Sequence, residues 1–166
     1  MPIFIDELTT EEFRAIGKNS AVIVPVGSVE PHGPHLPLGT DTTISREAAV
    51  RAAALLRARG VEAYVAPSVP YGVTDYAKGF PGALSIPPPV LTGFLEAVVQ
   101  ALLGEGISHV CLVNNHLEPA HDEAVRAAVR AFPEGRASVA CPLTRRWART
   151  LSDEFKRGDC HAGRYE

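Results

Sequence analysis

Residues 21–26 read A-V-I-V-P-V, six positions with no polar side chain to offer water. A strand with one solvated face alternates apolar and polar residues. A run that does not alternate must be covered on both faces, as in a parallel sheet sandwiched between helices. The rest of the chain agrees with that architecture. Residues 8–16 read as a short helix with Thr9 or Thr10 as N-cap and Glu11 and Glu12 in its first turn. Residues 43–59, rich in Ala, Leu and Arg, form a long helix closed by Gly60. Strands are expected over residues 61–66, 108–113 and 137–141, and helices over 90–105 (ended by Gly106), 119–132 and 144–155. Strand and helix in alternation imply right-handed crossovers and a three-layer α/β fold, a mostly parallel sheet flanked by helices.

With 46% hydrophobic and 21% charged residues among 166, the chain can bury one core and reads as a single α/β domain over residues 1–166. A net charge of −3 supplies no basic footprint for nucleic acid or an anionic membrane. No apolar run approaches the roughly 20 residues that a membrane-spanning helix needs. The opening M-P-I-F-I-D lacks the basic start and apolar core of a secretory leader. Cys111, Cys141 and Cys160, odd in number and far apart, fit reduced thiols in a cytoplasm better than a disulfide framework.

Ligands of open α/β sheets sit beyond the carboxyl ends of the strands, and two polar clusters leave the chain there. The first follows Val26: residues 27–41 read G-S-V-E-P-H-G-P-H-L-P-L-G-T-D, with Glu30, His32, His35 and Asp41 within twelve positions. Pro31, Pro34 and Pro37 each fix φ, so the loop is stiff. No Lys or Arg stands beside these groups, and gathered carboxylates repel unless a cation lies among them. The second cluster, N-N-H-L-E at residues 114–118, follows the third strand. Glu30 and His32 share one side of an extended segment, and His116 and Glu118 repeat that spacing. Singly, each residue has an ordinary reading, with His32 and His35 capping the turn and Asp41 capping the helix after it. Together, two His and three carboxylates make a mixed N/O donor set suited to Zn²⁺, Mn²⁺ or related ions. Five ligands exceed the need of one tetrahedral ion. With Asp41 bridging, they would serve two ions roughly 3.5 Å apart, a clamp that activates water.

These runs, with F-P-G at residues 80–82 and H-A-G-x-x-E at 161–166, resemble the creatininase family from about residue 20 to the end of the chain. The resemblance implies a metal-dependent amidohydrolase on an α/β fold, commonly hexameric. It implies two divalent ions per subunit, Zn²⁺ or Mn²⁺ foremost, with Fe²⁺ or Mg²⁺ as further options. By position, Glu30, Asp41 and His116 would hold one ion, and His32, Asp41 and Glu118 the other. His161 would be the catalytic His beside the scissile bond, and Glu166 a Glu supporting it. The expected reaction is attack of a bridging water on the carbonyl of a cyclic amide such as creatinine, or of a formamide or other small amide. His161 would carry the proton to the leaving nitrogen. Relatives extend beyond the last motif, so the 166 residues are expected to lack the family's C-terminal part. Creatininase proper also has an aromatic residue between the second-loop His and Glu, where this chain has Leu117.

His35 is expected to orient the loop or a ligand, His121 to lie at the surface or in packing, and His109 to have no role. Tyr71, Thr74, Asp75, Lys78 and Phe80 sit in the long Gly/Pro-rich segment 67–89, where substrate contacts belong. Arg145, Arg146 and Arg149 make a solvated basic face on the last helix. A thiol nucleophile at Cys160 has no third orienting group in view. The reading of a different class is a non-catalytic module, in which the metal-stabilised fold serves assembly or binding.

Overall fold

The computed structural model describes residues 3–148 and 150–166. Four strands, β1 (Ala21–Val26), β2 (Ala63–Val65), β3 (His109–Asn114) and β4 (Ala137–Ala140), form one parallel sheet in the order β2-β1-β3-β4. Between them run α2 (Thr40–Ala58), α3 (Pro88–Gly104) and α4 (Pro119–Arg130), after a short α1 (Thr10–Arg14). The expected capping box opens α1, with Thr9 and Glu12 each bonding the other's backbone.

Both sheet faces are covered, and the period of two along each strand decides which residue goes where. Val22, Val24 and Val26 of β1, with Val110 and Leu112 of β3, pack against α3 and α4 through Leu91, Leu95, Val99 and Val125. Ile23, Val65 and Val113 pack on the other face, against Ala49 and Ala53 of α2. Pro25 lies in a central strand, where a missing N–H usually disrupts the ladder. Its carbonyl accepts from Val69 N–H (2.8 Å), past the end of β2, so the absent donor faces chain that has already left the sheet.

Two sequence expectations need correction. Helix α2 begins at Thr40, with Gly39 as N-cap, so Asp41 lies inside the first turn rather than ahead of it. The last helix, expected over 144–155, is two short pieces, α5 (Arg145–Ala148) and α6 (Glu154–Arg157). The Thr150 hydroxyl donates to the Trp147 carbonyl (2.7 Å) and the Ser152 hydroxyl to Glu154 (3.0 Å). Both hydroxyls find their partners within the short stretch between and around the two pieces. Of the basic face assigned to this stretch, Arg149 and the side chains of Arg145 and Arg146 lie outside the described residues. No helix among the described residues is long and apolar enough to cross a membrane.

Candidate metal centre

Strands β1 and β3 pair in register, with Val26 opposite Asn114, so the loops that follow them start side by side at one sheet edge. The close approach of α2 completes the frame. A Cβ on Gly27 would lie 2.5 Å from Thr42 N, so only glycine lets the end of β1 meet the start of α2. Ser45, one turn into α2, donates to the Val26 carbonyl (2.6 Å) and accepts from Asn115 Nδ2 (3.1 Å). Asn114 bonds both the N–H (2.9 Å) and the C=O (3.0 Å) of His116, holding that residue in a tight turn.

Glu30, His32, Asp41 and His116 are all buried and converge. One oxygen of Asp41 lies 3.1 Å from His32 Nε2 and the other 3.1 Å from His116 Nδ1. Glu30 Oε1 also lies 3.1 Å from His116 Nδ1. The far nitrogen of each ring faces a backbone carbonyl: His32 Nδ1 that of Glu30 (3.0 Å), His116 Nε2 that of Val73 (2.8 Å). A carbonyl can only accept, so those nitrogens carry the protons. The nitrogens turned toward the carboxylates are left with lone pairs whenever the rings are neutral. Imidazole with one nitrogen tied to a carbonyl and the other facing carboxylates is the arrangement of a metal-binding His. Among the described residues, no Lys or Arg pairs with Glu30, Asp41 or Glu166. The donor set fits a divalent cation.

Two triads share Asp41. Ligand atoms of Glu30, Asp41 and His116 lie within 4.8 Å of one another, as do those of His32, Asp41 and Glu166. Glu118, assigned to the second set by position, is engaged elsewhere. Its two oxygens accept from the N–H groups of Asp75 and Tyr76 (3.1 Å each), at the start of a 3₁₀ turn over Asp75–Ala77. Glu166, expected to support His161, lies 3.9 Å from His32 Nε2, and its carboxylate accepts from Ala162 N–H. Its segment is gripped by Glu154, which accepts from the N–H groups of Arg164 and Tyr165. His161 is half exposed, its ring 4.6 Å from that of His32 and its Nε2 on the Pro31 carbonyl (3.0 Å).

Of the other residues singled out in the sequence, His35 is exposed and does not join the converging donors. His109 bonds the Gly135 carbonyl (2.8 Å) and the Ser138 hydroxyl (2.7 Å), which ties β3 to the start of β4. Asp75 pairs with Lys78 at 2.9 Å. Thr74 is fully buried and donates to Glu30, so it supports the centre rather than facing solvent. Ser28, which donates to Asp41 (2.7 Å), stands inside the first motif, where a lone serine carries no chemical signal of its own. His121, expected at the surface or in packing, is fully buried in packing. Its spacing to Ala124, Val125 and Ala128 on the buried face of α4 was the available signal.

Burial alone would push both rings toward lower pKa, but their carboxylate partners outweigh it. The Asp41 hydrogen bond, the Glu30 carbonyl and the charges of Asp41 and Glu166 raise His32 to about 9. Hydrogen bonds and charge from Asp41 and Glu30 raise His116 to about 10. Burial likewise opposes ionisation of Asp41 and Glu30, yet the two rings and the Ser28 and Thr74 hydroxyls hold both below the usual carboxylate range. Glu166 moves upward, chiefly through burial.

A sign follows for the metal-free chain. The imidazolium contribution to stability is complete below the unfolded value near 6.5 and is lost as pH rises through about 9 and 10. Cation binding must expel the same protons, so metal affinity rises over that interval. The melting temperature of chelated protein is therefore expected to fall between pH 7 and 10, while the gap to metal-loaded protein widens. A flat chelated profile over that range would contradict these protonation states.

The family described as creatininase (creatinine amidohydrolase) matches residues 6–166. The chain belongs to the creatininase family. The mycofactocin precursor peptide peptidase of Mycolicibacterium smegmatis is 37% identical over 150 residues, covering 87% of this chain and 54% of that protein. The creatinine amidohydrolase of Pseudomonas putida is 28% identical over 123 residues, 70% of this chain and 45% of its own length. This creatininase-family chain thus spans about half the length of these relatives. A solved structure titled "Creatininase Mn" superposes with a TM-score of 0.77 at 24% identity, over 98% of this chain and 69% of that one. Its parallel sheet flanked by helices is the fold observed here.

Proposed function

We propose that this chain carries the metal centre of a metal-dependent amidohydrolase that cleaves a carbon–nitrogen amide bond. The observation that carries the reading is Asp41, buried at a helix start, with one oxygen turned to His32 and the other to His116. In this reading Glu30, Asp41 and His116 hold one divalent cation, and His32, Asp41 and Glu166 a second. The mixed N/O donors suit Zn²⁺ or Mn²⁺. Bound there, the cations would supply Lewis acidity toward a carbonyl oxygen and lower the pKa of a water toward 7.

The chain's own groups then have defined tasks. Ser28 and Thr74 orient the Asp41 and Glu30 carboxylates. The Pro31 carbonyl keeps the His161 proton on Nε2, leaving Nδ1 to take and return a proton at the leaving nitrogen. Glu118 lines the cavity beside His116, its carboxylate accepting from the Asp75 and Tyr76 amides.

A cavity of about 660 Å³ opens over the centre, walled by Tyr76, Phe80, Leu117, Leu143 and Phe155. That is the size class of a site for a drug-sized ligand. Together with the likeness to a peptide peptidase, it favours an amide with an apolar flank, such as a peptide bond, over creatinine. The test is turnover of Zn²⁺- or Mn²⁺-loaded protein on creatinine, a small formamide and short peptides with an aromatic residue beside the scissile bond. Peptide cleavage that stops on chelation is expected. Tight metal binding with no turnover on any of the three would instead support the non-catalytic module.

A further inference from the structure

His121 belongs to neither cation triad, yet it is fully buried and lies edge-on to His116, with ring centroids 4.7 Å apart. The two rings meet at one residue of the long loop. Val73 N–H donates to His121 Nδ1 at 3.2 Å, and the Val73 carbonyl accepts from His116 Nε2 at 2.8 Å. Both polar groups of the Val73 backbone are thus taken by imidazoles. The fit leaves no slack, since a Cβ on the preceding Gly72 would lie 2.4 Å from His121 Nδ1. Because Nδ1 must accept from an N–H, His121 is the neutral ring protonated on Nε2, and that nitrogen meets no acceptor among the described residues. A buried N–H left without a partner is destabilising. An apolar residue of similar size would avoid that cost, so packing alone does not account for a histidine here.

We infer that His121 is a positioning residue: it seats Val73 so that the Val73 carbonyl holds the proton of His116 on Nε2 and leaves Nδ1 turned to the cation site. The inference rests on the metal reading above for its consequence, but not for its geometry. Partners one shell removed from a metal ligand typically change affinity by about 10–100-fold when lost. His121→Leu removes the acceptor and His121→Asn keeps one near the Nδ1 position.

The experiment measures Zn²⁺ affinity of the full chain by competition with a chromophoric chelator. It is joined by hydrogen exchange of the Val73 amide in the chelated protein, with a thermal melt for each variant. Zn²⁺ affinity is expected to drop about 10-fold or more in His121→Leu and to stay within about threefold of the parent in His121→Asn. Val73 amide protection is expected to be lost in the first and kept in the second. Parent-like affinity in His121→Leu, or equal weakening in both variants, overturns the inference. If the parent chain binds no Zn²⁺, the metal reading fails, and Val73 exchange decides the positioning role alone. Protection that is unchanged in His121→Leu, or lost equally in both, overturns that role.

Discussion

Asp41→Ala is expected to leave the chain with neither cation and to slow amide turnover on the order of 1,000-fold. The size follows from position. Asp41 is the residue common to both triads, and each of its oxygens serves a different ring, so in the proposed two-cation centre its loss removes a ligand from both cations at once. No neighbour can replace it: Glu30 is committed to Thr74 and His116, and Glu166 lies on the His32 side. Metal content after desalting, measured beside turnover, reads the effect. Asp41→Asn is the companion variant, because it preserves volume and an acceptor for the Ser28 hydroxyl. Two equivalents of metal and parent-like turnover in Asp41→Asn would sink the shared-carboxylate arrangement.

The second large effect is on stability. In Gly27→Ala the new Cβ meets Thr42 N at 2.5 Å and Thr42 Cα at 2.7 Å, both backbone atoms of the α2 start. A side chain can swing aside, but a helix terminus hydrogen-bonded to a sheet must shift bodily. Overpacking of this kind costs about 3 kcal/mol, or roughly 10 °C in melting temperature for a chain of this size. It also displaces Asp41 from Ser28, so metal affinity should fall with stability. Gly93→Ala is the matched control. Gly93 lies within α3 with nothing within 4 Å of its Cβ position, and the change should stabilise by up to about 1 kcal/mol. The two substitutions are chemically identical and differ only in surroundings. A melt within 2 °C or so of the parent for Gly27→Ala would show that α2 can slide along the sheet, and the close approach would lose its significance.

The legible parts of this chain were those where one physical requirement had no competitor. The A-V-I-V-P-V run has no polar face to expose, and its strand boundaries came out as read, at Ala21–Val26. The two loops at neighbouring strand ends followed from parallel topology, which puts every strand's carboxyl end on one edge. The last helix came out as two short pieces, and the helix-forming composition of residues 144–155 does not register where such a stretch is interrupted. Spacing could bring Glu118 to the right loop but could not say which way its carboxylate turns. That depends on the Asp75 and Tyr76 amides, more than forty residues earlier in the chain. His121, expected at the surface or in packing, lies in packing, and its helical spacing to Ala124, Val125 and Ala128 could not show that its ring meets Val73 and His116.

The order β2-β1-β3-β4 contains no hairpin, and this has a consequence for how the centre is born. Every strand pair closes only after an intervening crossover has been threaded, and such distant pairings are slow to form. The donors come from residues 30–41, 116 and 166, and they are braced from residues 73–74. No early intermediate built from neighbouring segments can hold more than a fragment of that set. A cation added at the start of refolding should therefore leave the folding rate unchanged and slow unfolding, acting as a lock on the finished chain rather than a template for it.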